Sequence, residues 1–224
     1  MNKFINILLL LLSFPTMLLS IYVGFDMPIE FFKTTGQQMP FKIEVFMILG
    51  ILYFVIIVRR TVKRWMGAKM VSAVNRFKWN VPVSKDRKKR VFVYLGLEAM
   101  LMTFMALALY KTCYETWLIA SALVFGSIDS VLFLLFGQLK NIYRIGITKQ
   151  ALVIADREVK VLYFSGLREV TLHSDSIYFD YKDDLQLTFP SNCISKEDRE
   201  DFKVQLEAQV NRDRVFFSES FKNM

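Results

Sequence analysis

The sequence predicts an α+β membrane protein, with four transmembrane helices followed by a β-rich module that ends in a helix. Four long apolar runs occupy most of residues 1–139. Residues 140–224 instead alternate short strand-like segments with turn residues. Each run approaches the roughly 20 apolar residues that a helix needs to cross a hydrocarbon core about 30 Å thick. We therefore expect a transmembrane domain over 1–139 and a water-exposed module over 140–224.

The predicted helices lie at about residues 4–25, 43–58, 91–110 and 117–139. The first run follows a short basic start, as a signal peptide would. It is nevertheless long and lacks a small-residue cleavage site, so we interpret it as a retained span. With 54% hydrophobic residues, the chain is too apolar for an ordinary soluble domain.

Positive charge is concentrated between the second and third runs. Residues 59–90 carry twelve Lys and Arg against one acid, whereas the other two connections hold only Lys33, Lys42 and Lys111. Because cytosolic loops are enriched in Lys and Arg, this asymmetry predicts a multi-pass protein of the bacterial inner membrane with both termini in the cytosol.

The basic loop 59–90 is expected to lie on the anionic lipid of the inner leaflet. The residues predicted to contact this lipid surface are Arg59, Arg60, Lys63, Arg64, Trp65, Lys85, Arg87, Lys88, Lys89 and Arg90. Within the loop, apolar residues recur at helical spacing over 62–77 with basic residues between them. This pattern indicates an amphipathic helix in the membrane interface, or else a segment that prolongs the second span or packs on the module.

Two carboxylates stand inside the predicted spans, Glu98 in the third and Asp129 in the fourth. Ionisable groups at this depth cost at least about 2.5 kcal/mol, so they usually face a partner or water. Both lie about 10–13 Å from the cytosolic end of their helices, at about 1.5 Å per residue, so they could face each other and share a proton. Ser127 and Ser130 flank Asp129 in a small polar patch suited to close helix contact. The alternatives are a proton or ion pathway, a structural hydrogen-bonded group, a contact with another subunit, and shallow hydration.

The module is predicted to contain six strands and one helix. The strand-length segments cover 143–148, 151–155, 159–164, 167–173, 177–181 and 185–189. Ser195 and Asp198 form a variant of the capping box, and Phe202, Leu206 and Val210 place an apolar stripe on the helix that follows. Several antiparallel strands closed by one amphipathic helix are therefore expected.

These residues resemble a known family. The segments Gly146-Ile147-Thr148, 161–170, Ile177-Tyr178-Phe179 and 185–190, followed by the Ser195 helix, are similar to bacterial pleckstrin-homology-like domains of the YcxB-like type. The resemblance covers about residues 141–212. It implies a sheet or barrel with a C-terminal helix, placed in the cytosol as a scaffold for protein or lipid contact and without enzymatic activity.

No catalytic or metal-binding motif accompanies this pattern. The sequence has one histidine, His173, and its cysteines, Cys113 and Cys193, lie far from any second ligand at metal-binding spacing. No nucleic-acid-reading motif accompanies the charge. We expect a non-enzymatic protein without cofactor or metal that docks a protein partner, the lipid surface or a second copy of itself. The alternative function is a small ion- or proton-coupled transport component that uses Glu98 and Asp129.

Overall fold

The protein is described by a computed structural model over residues 2–29, 33–182, 185–210 and 215–222. Its long helices are α1 (Asn2–Gly24), α2 (Lys42–Ser72), α3 (Lys85–Thr112) and α4 (Trp117–Leu139). All four are long and apolar enough to cross a membrane, so the four predicted long apolar helices are present. A two-residue hairpin, β1 (Pro28–Ile29) with β2 (Thr34–Thr35), lies between α1 and α2.

Helix α2 is much longer than predicted. It continues to Ser72, fourteen residues past the expected end at Val58, so the basic amphipathic segment mostly prolongs the second span. A short 3₁₀ turn at Val74–Arg76 and strand β3 (Trp79–Pro82) follow, and α3 begins already at Lys85. The segment 59–90, expected to be a loop, is therefore mostly regular structure.

The β-rich region forms two four-stranded sheets. In the first, β3 pairs with β4 (Arg144–Ile147), which continues as an antiparallel meander through β5 (Ala151–Ala155) and β6 (Val159–Tyr163). The centre of one face is buried, with Ile145, Ile147 and Leu152 at 0% exposure. Val71 from the end of α2 packs with Val153 and Ala155 of this sheet. Helix α2 thus covers part of the sheet that β3 helps to build.

The second sheet follows along the chain. Strands β7 (Leu167–His173), β8 (Ser176–Tyr181) and β9 (Gln186–Pro190) form an antiparallel meander, and the short β10 (Phe216–Phe217) adds a parallel edge strand beside β7. Helices α5 (Arg199–Gln209) and α6 (Glu219–Lys222) complete the C-terminal part. The six predicted strands, β4 to β9, begin and end within one residue of the predicted bounds.

Helix α5 joins the two sheets through aromatic contacts. The ring of Phe202 lies 5.6 Å from Trp79 of β3 and 5.9 Å from Phe189 of β9, measured between centroids. Phe202, Leu206 and Val210 are all buried, which confirms the predicted stripe. Ser195 accepts the backbone N–H of Asp198 at 3.2 Å and donates to its carboxylate at 2.5 Å. Helix α5 begins only at Arg199, with Asp198 as its N-cap residue, so these two residues bond each other without forming the predicted capping box at the helix start.

The chain divides into two compact units at points within its helices. One comprises residues 1–62 and 95–133, and the other residues 63–94 and 134–224. The helical unit has a core that includes Val23, Phe46, Tyr53 and Ile119. Its outward side chains are largely apolar, with Leu10, Phe104 and Met100 each at least 70% exposed. Such a surface suits lipid and would be a liability in water.

The second unit, which we call the interface module, contains both sheets and the adjoining ends of α2, α3 and α4. Two backbone hydrogen bonds connect the residues just before α3 to the β-rich part of this module. The backbone N–H of Val83 donates to the Tyr143 carbonyl at 3.0 Å, and that of Ser84 donates to the Cys193 carbonyl at 2.9 Å. The β-rich region is therefore built directly onto helix ends rather than tethered by a free linker.

Candidate functional site

The strongest polar feature of the helical unit is a cluster around Glu98. One carboxylate oxygen of Glu98 forms an ion pair with the guanidinium of Arg60, and the other accepts a hydrogen bond from Ser130 Oγ at 2.7 Å. Ion-paired charges in a low-dielectric region offset part of each other's desolvation cost. Glu98 thus meets an opposite charge from α2, a partner that was not predicted from the sequence.

The arginine partner was missed because the predicted second span ended too early. Arg60 was expected on the lipid surface, but only 13% of its side chain is exposed. Arg60 stands twelve residues before Ser72, the end of α2, and Glu98 stands thirteen after Lys85, the start of α3. In antiparallel helices of equal rise these positions lie at matching depth. The length of the amphipathic stripe was the signal that could have placed Arg60 inside the span.

The small polar patch on α4 bonds to α3 through hydroxyl groups. Ser127 Oγ donates to the backbone carbonyl of Ala99 at 3.0 Å and lies 2.8 Å from the Thr103 hydroxyl. A Cβ on Gly126 would stand 3.1 Å from side-chain atoms of Ile57 and Met102. Hydroxyls and a glycine at one contact let three helices approach closely and bond across their interface. Asp129 is itself buried, with 7% of its surface exposed.

The residues predicted to contact lipid divide into two groups. Arg59, Lys85, Lys89 and Arg90 are exposed, and Lys63 and Lys88 are half-buried, so all six could reach a lipid surface. The remaining four turn toward the protein. They are Arg60, described above, together with Arg64, Trp65 and Arg87.

These last three have specific environments. Arg64 is 2% exposed, contrary to its expected place on the lipid surface. Trp65 packs edge-on against Phe136, with ring centroids 5.7 Å apart. Arg87 forms an ion pair with Asp156 in the turn after β5, with Nη2 at 2.5 Å and Nε at 3.0 Å from the same carboxylate oxygen. Because Arg64 is buried and Arg87 is ion-paired within the protein, fewer positive charges are available to lipid than the sequence suggested.

The surroundings of the potential metal ligands and nucleophiles follow from the described residues. Within the described ranges, no three His, Cys, Asp or Glu residues are grouped to hold a metal ion. His173 is exposed beside the ring of Tyr178. Cys193 is fully buried, and burial raises the pKa of its thiol to about 12, which leaves almost no nucleophilic thiolate at neutral pH.

Apolar side chains are also exposed on the interface module away from its helix ends. Tyr163 on β6, Val204 on α5 and Phe216 on β10 are each 54% exposed or more. Val204 lies on the side of α5 opposite the buried stripe, so packing inside the module does not account for an apolar side chain at this position. Single exposed apolar residues are common on folded proteins, and these mark positions to probe.

Comparison with known proteins finds no matching family model, no matching curated protein and no matching solved structure.

Proposed function

We propose that this chain is a non-enzymatic, multi-pass membrane protein that holds a docking module of pleckstrin-homology-like architecture at the cytosolic face of the inner membrane. The observation that carries the proposal is the position of β3. This strand lies between two membrane-length helices and pairs with β4 over four residues from Trp79 to Pro82. A docking surface built onto helix ends is joined to the membrane-length helices without a flexible linker.

The order of elements supports the pleckstrin-homology-like part of the proposal. Strands β4 to β6 and then β7 to β9 form antiparallel meanders, and α5 follows them. Strand β3 joins the first sheet from before α3, and β10 adds an edge to the second. Helix α5 contacts both sheets through Phe202, as expected for a helix that closes a curved sheet. Folds of this kind host several functions, so the docking role rests on the module's attachment to the membrane and not on its architecture alone.

The cluster around Glu98 favours this role over ion or proton transport. A transport carboxylate needs to exchange its partner for a proton or cation, whereas Glu98 is held by both Arg60 and Ser130. We assign Glu98 and the Ser127–Ser130 patch to helix contact. A proteoliposome assay separates the two functions, because proton flux that disappears in Glu98→Gln/Asp129→Asn while the variant stays folded would support transport and contradict the docking proposal.

Site-specific photo-crosslinking of the full-length chain in native membranes tests docking directly. A photo-reactive residue is placed at Val204 or Phe216, with Asp175, exposed in the turn between β7 and β8, as the control position. We expect one discrete adduct of constant mass from an apolar position and none from Asp175. Adducts of equal yield at all three positions, or at none, would contradict a docking surface at Val204 or Phe216.

A further inference from the structure

A groove of about 650 Å³ runs between the Lys85 end of α3 and the Leu139 end of α4, within the interface module. Its size falls in the usual range of small-molecule sites, roughly 300 to 1,000 Å³. Polar groups stand at one part of it, contributed by Lys88, Lys89 and Asn141, and an apolar floor is formed by Phe92, Val93 and Leu134. The groove is therefore amphiphilic, and it sits where membrane-length helices meet the β-rich region.

The polar part and the apolar part of the groove follow one another along the axis of α3. Phe92 follows Lys88 by four residues and Val93 follows Lys89 by four, so each basic residue shares a helix face with an apolar one. Four residues advance a helix by about 6 Å. The apolar residues lie further along α3, toward the middle of the predicted span. A ligand in this groove would meet positive charge near the membrane surface and apolar side chains deeper in.

The charge of the groove selects an anion. Lys88 Nζ donates to Asn141 Oδ1 at 3.2 Å, which holds the ammonium at the mouth, and Lys89 beside it is exposed. None of the described residues that line the groove is acidic. An ammonium pair and a neutral amide can bond phosphate oxygens, and no carboxylate opposes an anion there.

We propose that this groove binds one glycerophospholipid with an anionic headgroup. The phosphate is held by Lys88, Lys89 and Asn141, and the first part of an acyl chain lies on Phe92, Val93 and Leu134. The rest of the lipid extends into the bilayer, since a whole phospholipid is larger than the groove. The site rests on the part of the proposed function that puts α3 and α4 across the membrane, and it gives the interface module one specific lipid contact. A soluble phosphate compound would leave the apolar floor without a role.

Native mass spectrometry of the full-length chain tests the site. The purified protein is incubated with phosphatidylglycerol or with phosphatidylcholine of the same acyl chains, and the lipid retained per chain is counted. We expect one phosphatidylglycerol, retained at least about 10-fold more strongly than phosphatidylcholine. Lys88→Gln/Lys89→Gln should weaken retention about 30-fold, since each lysine near a lipid surface contributes about 1 kcal/mol. Leu134→Trp should weaken it at least about 10-fold by filling the floor.

The matched control is Lys85→Gln/Arg90→Gln, which removes equal charge from exposed positions of α3 outside the groove lining. Each variant must elute and melt like the wild type. The proposal is overturned if the wild type retains both lipids equally, if the control pair loses as much binding as the groove pair, or if Leu134→Trp binds normally. Displacement of the lipid by millimolar glycerol phosphate would assign the site to a soluble phosphate. Each of these results would leave the crosslinking test of docking unchanged.

Discussion

The ion pair between Arg60 and Glu98 shows how a single residue can change role when a helix is extended. A basic residue just past an apolar run normally marks the end of a span. Here α2 continues, and both side chains are mostly enclosed, with 13% and 19% exposed. That Glu98 needs a polar partner was predictable, because the residues around it in the third run are apolar. Its partner was not, because Arg60 belongs to a dense basic cluster in which only some members turn inward.

Replacing Arg60 with methionine should lower the free energy of unfolding by about 3 kcal/mol, because the Glu98 carboxylate loses its opposite charge inside the helical unit. Arg60→Met/Glu98→Leu should recover most of that loss, since neither charge then needs compensation. Thermal unfolding of the purified variants in detergent measures both effects. Arg59→Met is the control, as Arg59 is exposed and should change stability by no more than about 0.5 kcal/mol. Equal losses in Arg59→Met and Arg60→Met would show that the ion pair has no special weight.

At the scale of elements, local signals predicted most of the β-rich region. Turn residues separate its short apolar segments, so six strands and α5 could be located from neighbouring residues. Strand β3 could not. It has only four residues, lies among basic ones, and pairs with β4, whose Arg144 faces Pro82 across more than sixty positions of sequence. The end of α2 could not be located from the sequence for a related reason. Its last turns are too polar to resemble a span, and the packing of Val71 on the first sheet stabilises them.

Two helical glycines, Gly137 and Gly96, provide a test of packing and its control. A Cβ on Gly137 of α4 would overlap the ring of Tyr143, which is buried at 3% exposure and has little room to move. We expect Gly137→Ala to lower the free energy of unfolding by about 1–3 kcal/mol. Gly96→Ala in α3 adds its Cβ to open space and should be neutral or stabilising by up to about 1 kcal/mol. Thermal unfolding of the two variants compares them, and a similar loss for both would contradict the packing at Gly137.

The whole molecule combines a helical unit that has an apolar surface with a module built on helix ends, and its direction in a membrane is a separate property. Direction depends on charges near the span ends rather than on packing, so the fold and the topology are predicted by different residues. Exposed tyrosines and a tryptophan at the opposite ends of the helices, among them Tyr110, Tyr114 and Trp117, suit the headgroup level of the other leaflet. The prediction to test is that the α1–α2 connection faces outward and the interface module faces the cytosol.

Cysteine labelling in intact cells can test this direction, provided that the native thiols stay silent. Burial, aided by a hydrogen bond to Glu115, raises the pKa of Cys113 to about 11, and burial raises that of Cys193 to about 12. Relative to an ordinary thiol, Cys193 then forms about 1,000-fold less thiolate at neutral pH, so neither native cysteine should react with an impermeant maleimide at pH 7.5.

New cysteines at two exposed positions should therefore give clean signals over the unlabelled wild type. Gln38→Cys lies in the connection between α1 and α2, and Lys196→Cys lies just before α5 in the interface module. We expect Gln38→Cys to label in intact cells and Lys196→Cys to label only after the membrane is permeabilised. The reverse pattern would invert the orientation, because both sites would have exchanged sides. Labelling of both sites in intact cells would instead contradict three membrane crossings between them. Helices α2, α3 and α4 separate the two positions, and an odd number of spans places them on opposite sides.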